Sequence, residues 1–374
     1  MPGGIPYIIA NEAAERFSFY GMKAILSIFM VQYLWLMGDA PTEQMSEVLA
    51  SENYHKFNKW VYATPFFGAL LADFFFGKYR VIIWLSIVYC VGHACLALMG
   101  ESAPAGWWLF AGLSLICVGS GGIKPCVSAH VGDQFGKSNQ HLLTKVFNWF
   151  YFSINLGAFL SMLATPWILE WHGPHLAFGI PGVLMAIATL FFWLGRKKFI
   201  HIQPDSKKFK RELCSKEGLG VILRLLPLYF FVAFFWALFD QTGSSWVFQS
   251  QDMDRHFVID WLPSQIQSIN SVLILTLVPL FTFFVYPNLE KFIKLTPLRK
   301  IGVGLFITVF AFSIIALIQV SISEGNTPNI GWQFLAYLFL TAAEVMVSIV
   351  CLEYSYTQAP RNMKSLIMAI FLLS

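Results

Sequence analysis

The sequence predicts an all-α protein that crosses a lipid bilayer many times. Three observations carry that prediction. The 374 residues are 57% hydrophobic and only 12% charged, with a mean hydropathy of +0.62, far from the balance of a soluble domain. Apolar runs of about 20 residues, enough to cross a hydrocarbon core of roughly 30 Å as helix, recur along most of the length. Lys and Arg residues gather in alternate loops, as cytoplasmic loops do.

The apolar runs place spans near 9–37, 58–76, 81–100, 105–131, 145–170, 175–195, 220–251, 266–287, 299–322 and 331–356, with an eleventh beginning near 363 and Ser374 inside it. They lack the period-two alternation of membrane strands. The first span has no charged head, short apolar core and small-residue cleavage site before it, so it is expected to be a retained anchor. Loops after even-numbered spans read "GKYR" (77–80), "GKSNQHLLTK" (136–145), "GRKKFIHIQPDSKKFKRELCSK" (195–216), "EKFIKLTPLRK" (290–300) and "RNMK" (361–364), whereas the odd-numbered loops are sparse and partly acidic. A cytoplasmic N-terminus follows.

The net charge of +4 thus describes topology, and no nucleic-acid partner is expected. The six cysteines, Cys90, Cys95, Cys117, Cys126, Cys214 and Cys351, lack the paired spacing of a metal site or disulfide framework. No H-E-x-x-H, G-x-S-x-G elbow or Walker loop is present. Neither a cofactor nor a metal is expected, and nothing points to an enzyme.

The basic, polar stretch after the sixth span divides the chain into a first bundle (1–195), a cytoplasmic connector (196–219) and a second bundle (220–374). Two bundles joined in this way suggest a transporter, in which substrate lies between halves that rock around it. The stretch "GALLADFFFGKYR" (68–80) resembles the loop signature of the major facilitator superfamily, whose fold is twelve helices in two such bundles. Its Asp73, Lys78 and Arg80 are expected to tie neighbouring helix ends together.

"NEAAERFSFYG" (11–21) sets Glu12, Glu15 and Arg16 at the head of an apolar helix. Ionisable groups at membrane depth persist when they are paired or lie on a polar pathway. Glu12 and Arg16 are four apart and Glu12 and Glu15 three apart, so the three share a face. Two carboxylates against one guanidinium leave a net negative charge that a proton relieves. Protonation would loosen the hold on Arg16 and free its planar fork of donors for an outside carboxylate. A static ion-pair knot is the competing reading. Further buried charges weigh against that reading: Lys23, about two turns beyond Arg16, Lys124 in "GSGGIKPCVSAH" (119–130), and Glu344, with Arg224 and Asp240 flanking the seventh span. The glycines around Lys124 permit close helix approach, and Pro125 is expected to break the backbone ladder there. Cations and carboxylates in both halves suggest a zwitterionic ligand moving with a proton.

The residues Glu12, Glu15, Arg16, Phe17 and Tyr20 resemble the E-x-x-E-R-F signature of the proton-dependent oligopeptide transporter family, and "FYFSINLG" (150–157) resembles its fifth-helix signature. "YATPFFGALLAD" (62–73), "GGIKP" (121–125), "FWALFDQTGS" (235–244) and "LEYSYTQAPRNMKS" (352–365) are similar in the same order along the chain. The resemblance implies a proton-coupled symporter that imports di- and tripeptides by alternating access. It implies that Arg16, Lys23 and Lys124 take the peptide carboxylate and that Glu344, with Asn155 and Asn270, takes the ammonium. Tyr20, Tyr62 and Trp236 would line the pocket. Glu12, Glu15, Arg16 and His55 would couple the proton, while Lys124 with Glu344, and Lys23 with Asp252 or Asp254, would form gates.

The chain departs from the family pattern at several positions. Lys23 stands where arginine is usual, Phe19 replaces a common tyrosine, and Thr282 stands where an aspartate opposite Arg224 is expected. His55 is placed in a loop beside Lys56, which leaves an idle histidine as the alternative to a coupling one. The short connector and the brief "SEGNTPNIG" (323–331) imply a compact prokaryotic-type transporter, working as a monomer in a bacterial inner membrane. The alternative is a carrier of nitrate, another anion or an amino-acid derivative on the same fold. Such an anion carrier gains nothing from Glu12 and Glu344 in its pocket, because carboxylates repel anions.

Overall fold

The computed structural model describes residues 1–38, 43–101, 103–136, 139, 142–204, 215–358 and 364–373. Two compact units divide between Ser215 and Lys216.

Among its described residues the first unit contains six long helices: α1 (Ile5–Gln32), α2 (Glu47–Leu71), α3 (Lys78–Ala97), α4 (Ala105–Asp133), α5 (Leu143–His172) and α6 (Pro174–Leu194). Their ends follow local chemistry. The Ser46 hydroxyl accepts from the Leu49 N–H at 3.3 Å to start α2. Gly173, at φ +81°, ends α5, and Pro174 opens α6 without losing a bonded N–H. α1 packs against α5 and α6 and, less extensively, against α2 and α4, and every residue from Gly21 to Val31 on it is buried. Two close approaches fix this arrangement. A Cβ on Gly157 would lie 2.7 Å from the Ala13 carbonyl of α1, and one on Gly121 would lie 2.6 Å from the Thr64 Cβ of α2. Helices that meet through small residues in this way hold together in lipid without a hydrophobic drive between them.

The second unit contains α7 (Lys216–Phe239), α8 (Ser268–Leu280), α9 (Pro297–Ser323), α10 (Gly331–Glu344) and α11 (Lys364–Leu373). α8 and α10 run on through wide turns at Phe281–Val285 and Val345–Ile349. Between α7 and α8 the chain makes a small antiparallel hairpin that pairs His256 with Asp260 and Phe257 with Ile259. Phe230, Phe231 and Phe234 on α7, and Phe306 and Phe310 on α9, point outward, as lipid-facing positions do.

Among the described residues, eight helices are long and apolar enough to cross a membrane. α1 and α2 fall outside that set because charged and polar residues occupy part of each. α4 continues unbroken through Pro125, contrary to the expected break: the proline removes one ladder bond, and the flanking turns carry the helix across it. His55 lies within α2, not in a loop, because the helix begins eleven residues before the apolar run. Lys78 pairs with Asp133 at the end of α4 at 2.7 Å. The side chain of Asp73, Cys214 and positions 361–363 of the last basic loop lie outside the described residues.

Candidate functional site

The charged face of α1 folds as the spacing of its residues requires. Arg16 Nε donates to Glu12 Oε1 at 2.7 Å and stands 3.3 Å from Glu15 Oε2. Glu12 and Glu15 are buried, at 1% and 0% exposure. Glu12 Oε2 and both Glu15 oxygens have no hydrogen-bond donor among the described residues. Both contacts of Arg16 use Nε, so the two terminal nitrogens of its fork are unengaged among those residues.

Cations and rings surround this triad. Lys124 Nζ, carried by α4, stands 3.7 Å over the Phe19 ring and 5.0 Å from the centre of the Tyr62 ring on α2. Lys23 Nζ lies 5.8 Å from the same Tyr62 ring and 5.5 Å from that of Tyr54. One aromatic ring, that of Tyr62, thus lies within cation–π reach of two ammonium groups on different helices. Lys124 is within electrostatic reach of Glu12, Glu15, Arg16 and Lys23. Tyr20 packs edge-on against Phe19, with centroids 5.3 Å apart. The structure therefore brings together Glu12, Glu15, Arg16, Tyr20, Lys23, Tyr62 and Lys124. His55 meets Tyr54 edge-on at 5.4 Å, one ring removed from Lys23. Asn155 is half-buried on α5, two residues before the Gly157 contact with α1.

In the second unit, Asn270 on α8 donates to Glu344 Oε2 at 2.8 Å and to Thr341 Oγ1 at 3.1 Å, so the expected partnership of Asn270 with Glu344 has a direct bond. Trp236 on α7 stacks edge-on with Phe235 and Phe239. Asp252 is exposed at the end of a short turn after α7. Asp254 is tied to Asn329 and to the His256 N–H. Arg224 is exposed, and the Thr282 hydroxyl donates to the Val278 carbonyl of its own helix at 2.8 Å, so position 282 offers Arg224 no carboxylate.

Three participants escaped the sequence reading: Phe19 as the seat of Lys124, Tyr54 as a ring beside Lys23, and Thr341 as the second acceptor of Asn270. Two of them carried a signal. Tyr54 precedes Tyr62 by eight residues, about two turns of one helix face, and Thr341 precedes Glu344 by three.

The multi-helix architecture, with charged groups buried inside its helices, is a fold of the major facilitator type. The chain belongs to the POT family, whose profile matches residues 79–216 and 209–374. Solute carrier family 15 member 2 of Homo sapiens is 35% identical over 400 residues, covering 93% of this chain and 53% of that protein. The chain thus spans about half the length of the curated relatives it matches. The in meso crystal structure of the POT family transporter PepTSo has a TM-score of 0.90 at 38% identity, covering 100% of this chain and 87% of the other. An auto-inhibited POT family peptide transporter has a TM-score of 0.91 at 34% identity, covering 100% and 86%.

Proposed function

We propose that the chain carries out proton-coupled import of di- and tripeptides by alternating access. The observation that carries this reading is the buried triad: Arg16 is held through Nε by two carboxylates, and among the described residues its terminal fork is unengaged and Glu15 has no hydrogen-bond donor. A proton taken up by either carboxylate neutralises the excess negative charge and weakens the grip on Arg16. The guanidinium is then available to a peptide carboxylate in bidentate form. Arg16, Lys23 and Lys124 serve as the cationic side of recognition, and Glu344 with Asn270 and Asn155 serves as the side for the peptide ammonium. Tyr20, Tyr62 and Trp236 supply rings that accept varied side chains, since apolar walls discriminate weakly. His55 joins Glu12, Glu15 and Arg16 in proton coupling. Gating falls to Lys124, Glu344, Lys23 and Asp252.

Loop charge supports a cytoplasmic N-terminus, and the short 196–219 and 323–331 segments support a compact transporter of a bacterial plasma membrane, acting as a monomer. Carriage of nitrate or another anion fits less well, because Glu12, Glu15 and Glu344 repel it.

The test is uptake of labelled dialanine into proteoliposomes with and without an inward proton gradient, competed by tripeptides, free amino acids and nitrate. Gradient-dependent accumulation blocked by short peptides alone is the expected result. Competition by nitrate, or no accumulation at all, removes the substrate assignment.

A further inference from the structure

A second polar site lies in the first unit, away from the charges of α1. A cavity of about 430 Å³ opens where the turn after α2 meets the start of α3, the end of α4 and the segment that follows α6. Residues Gly77 to Arg80 line one side of it. They form the N-terminus of α3, a helix of 20 residues whose N-cap, Gly77, supplies no side-chain bond to the first-turn amides. Backbone N–H groups at such an end have no partner within the helix and carry the positive end of its dipole.

The side chains add to that field. Lys78, Arg80, His130 and His201 line the cavity, and Asp133 is the one carboxylate among its lining residues. Lys78 Nζ already holds Asp133 at 2.7 and 3.0 Å, so that carboxylate is compensated. Arg80 is exposed and has no hydrogen bond or ion pair among the described residues. His130 is 1% exposed, and its Nε2 has no hydrogen-bond partner among the described residues. A buried polar atom without a partner costs about 1–3 kcal/mol, and the structure retains one in the wall of an open cavity. At the rim, Phe75 and Phe76 are 68% and 54% exposed.

We propose that this cavity binds a phosphate group. Uncapped amides at a helix start, a guanidinium unpaired among the described residues and a buried imidazole are together the donors that phosphate oxygens require. The cavity holds more than one bare phosphate, and the two exposed phenylalanines beside it suit acyl chains. An anionic phospholipid headgroup is therefore the expected source, with free phosphate as the other.

The test uses the detergent-purified full chain and its Arg80→Gln and His130→Gln variants. Retention of phosphatidylglycerol against phosphatidylcholine is read by native mass spectrometry, and binding of radiolabelled inorganic phosphate by equilibrium dialysis. Loss of one charge-assisted bond predicts about tenfold weaker phosphatidylglycerol retention in each variant, with phosphatidylcholine unaltered and inorganic phosphate not taken up. Uptake of inorganic phosphate that both variants lose, without preference for phosphatidylglycerol, keeps the site and assigns it to a soluble phosphate. Arg80 is exposed, so Arg80→Gln keeps the test decisive even where His130→Gln fails to fold. Equal binding of both ligands by the unaltered chain and Arg80→Gln, or no binding of either by the unaltered chain, overturns the proposal.

Discussion

The ammonium of Lys124 on α4 stands 3.7 Å above the centre of the Phe19 ring on α1. Phe19 is fully buried, so the contact operates out of water, where a cation over an aromatic face gains about 2 kcal/mol. The ring fixes where Lys124 points. Phe19→Leu removes the face and keeps the bulk, and it is expected to weaken uptake of dipeptides with a free carboxylate about fivefold, the equivalent of about 1 kcal/mol. Phe19→Tyr keeps the face and should retain most of that affinity. Inhibition constants against labelled dialanine distinguish the two, and equal losses in both variants would show that Phe19 acts through packing alone.

Glu12→Gln and Glu15→Gln separate coupling from binding. Each replaces a buried carboxylate beside Arg16 by a neutral amide of the same shape, which mimics the protonated state permanently. Gradient-driven accumulation is expected to be lost, while exchange of peptide across the membrane persists in part. Two variants that accumulate peptide as well as the unaltered chain would reduce the triad to a structural knot.

Much of this was legible in the sequence, and the reasons for the remainder are physical. The apolar runs fixed which segments are helices, and the i, i+3 and i, i+4 spacing of Glu12, Glu15 and Arg16 fixed which charges meet. Hydropathy located His55 badly, because α2 begins in polar sequence and its Ser46 cap gives a local signal that an apolar window ignores. Pro125 misled in the other direction, since a proline inside a long packed helix costs one bond without ending it. The wide turn that follows Glu344 inserts a residue without any distinctive composition. The hairpin at His256–Asp260 turns through Val258 at φ +67°, a conformation that a β-branched residue rarely adopts and that no turn signal announces. Partner choice across helices, such as Lys78 with Asp133, depends on packing that spacing does not encode.

Lys124→Ala tests carboxylate recognition. A charge-assisted bond contributes about 1.5–3 kcal/mol, so affinity for dialanine should fall by about tenfold or more. The carboxyl-amidated peptide, which lacks the anionic partner, should lose far less. Equal losses for both ligands would remove Lys124 from that role.

The hairpin between α7 and α8 is expected to be sensitive to pH in two directions. His256 Nδ1 lies 2.8 Å from Asp260 Oδ1, and that hydrogen bond and charge raise the imidazole above its ordinary 6.5. Its stabilisation is present below 6.5 and is lost as pH rises through the raised value. Asp254, which accepts from the His256 and Asn329 donors, is lowered below its ordinary 3.8, so its contribution is present above 3.8 and is lost as pH falls through the lowered value. Amide exchange across residues 254–261, corrected for intrinsic rates, should be slowest between the two ordinary values. A flat protection profile across that series would mean that neither pair orders the hairpin.

Asn270 uses both amide hydrogens in the second unit, one on Thr341 Oγ1 and one on Glu344 Oε2. Its donors are occupied, and it holds one carboxylate oxygen of Glu344. Glu344→Gln removes the anionic partner and should weaken dialanine about tenfold or more, while N-acetylated dialanine, whose amine carries no charge, should bind almost as before. Asn270→Ala leaves the carboxylate in place but unrestrained, so the same selectivity should appear with a smaller loss. Asn270→Asp sets a second carboxylate against Glu344 and favours a shared proton; its uptake should recover part of its activity as the outside pH is lowered. Were the acetylated and free peptides to lose affinity equally in Glu344→Gln, Glu344 would be a proton-carrying or gating group, with the ammonium recognised elsewhere.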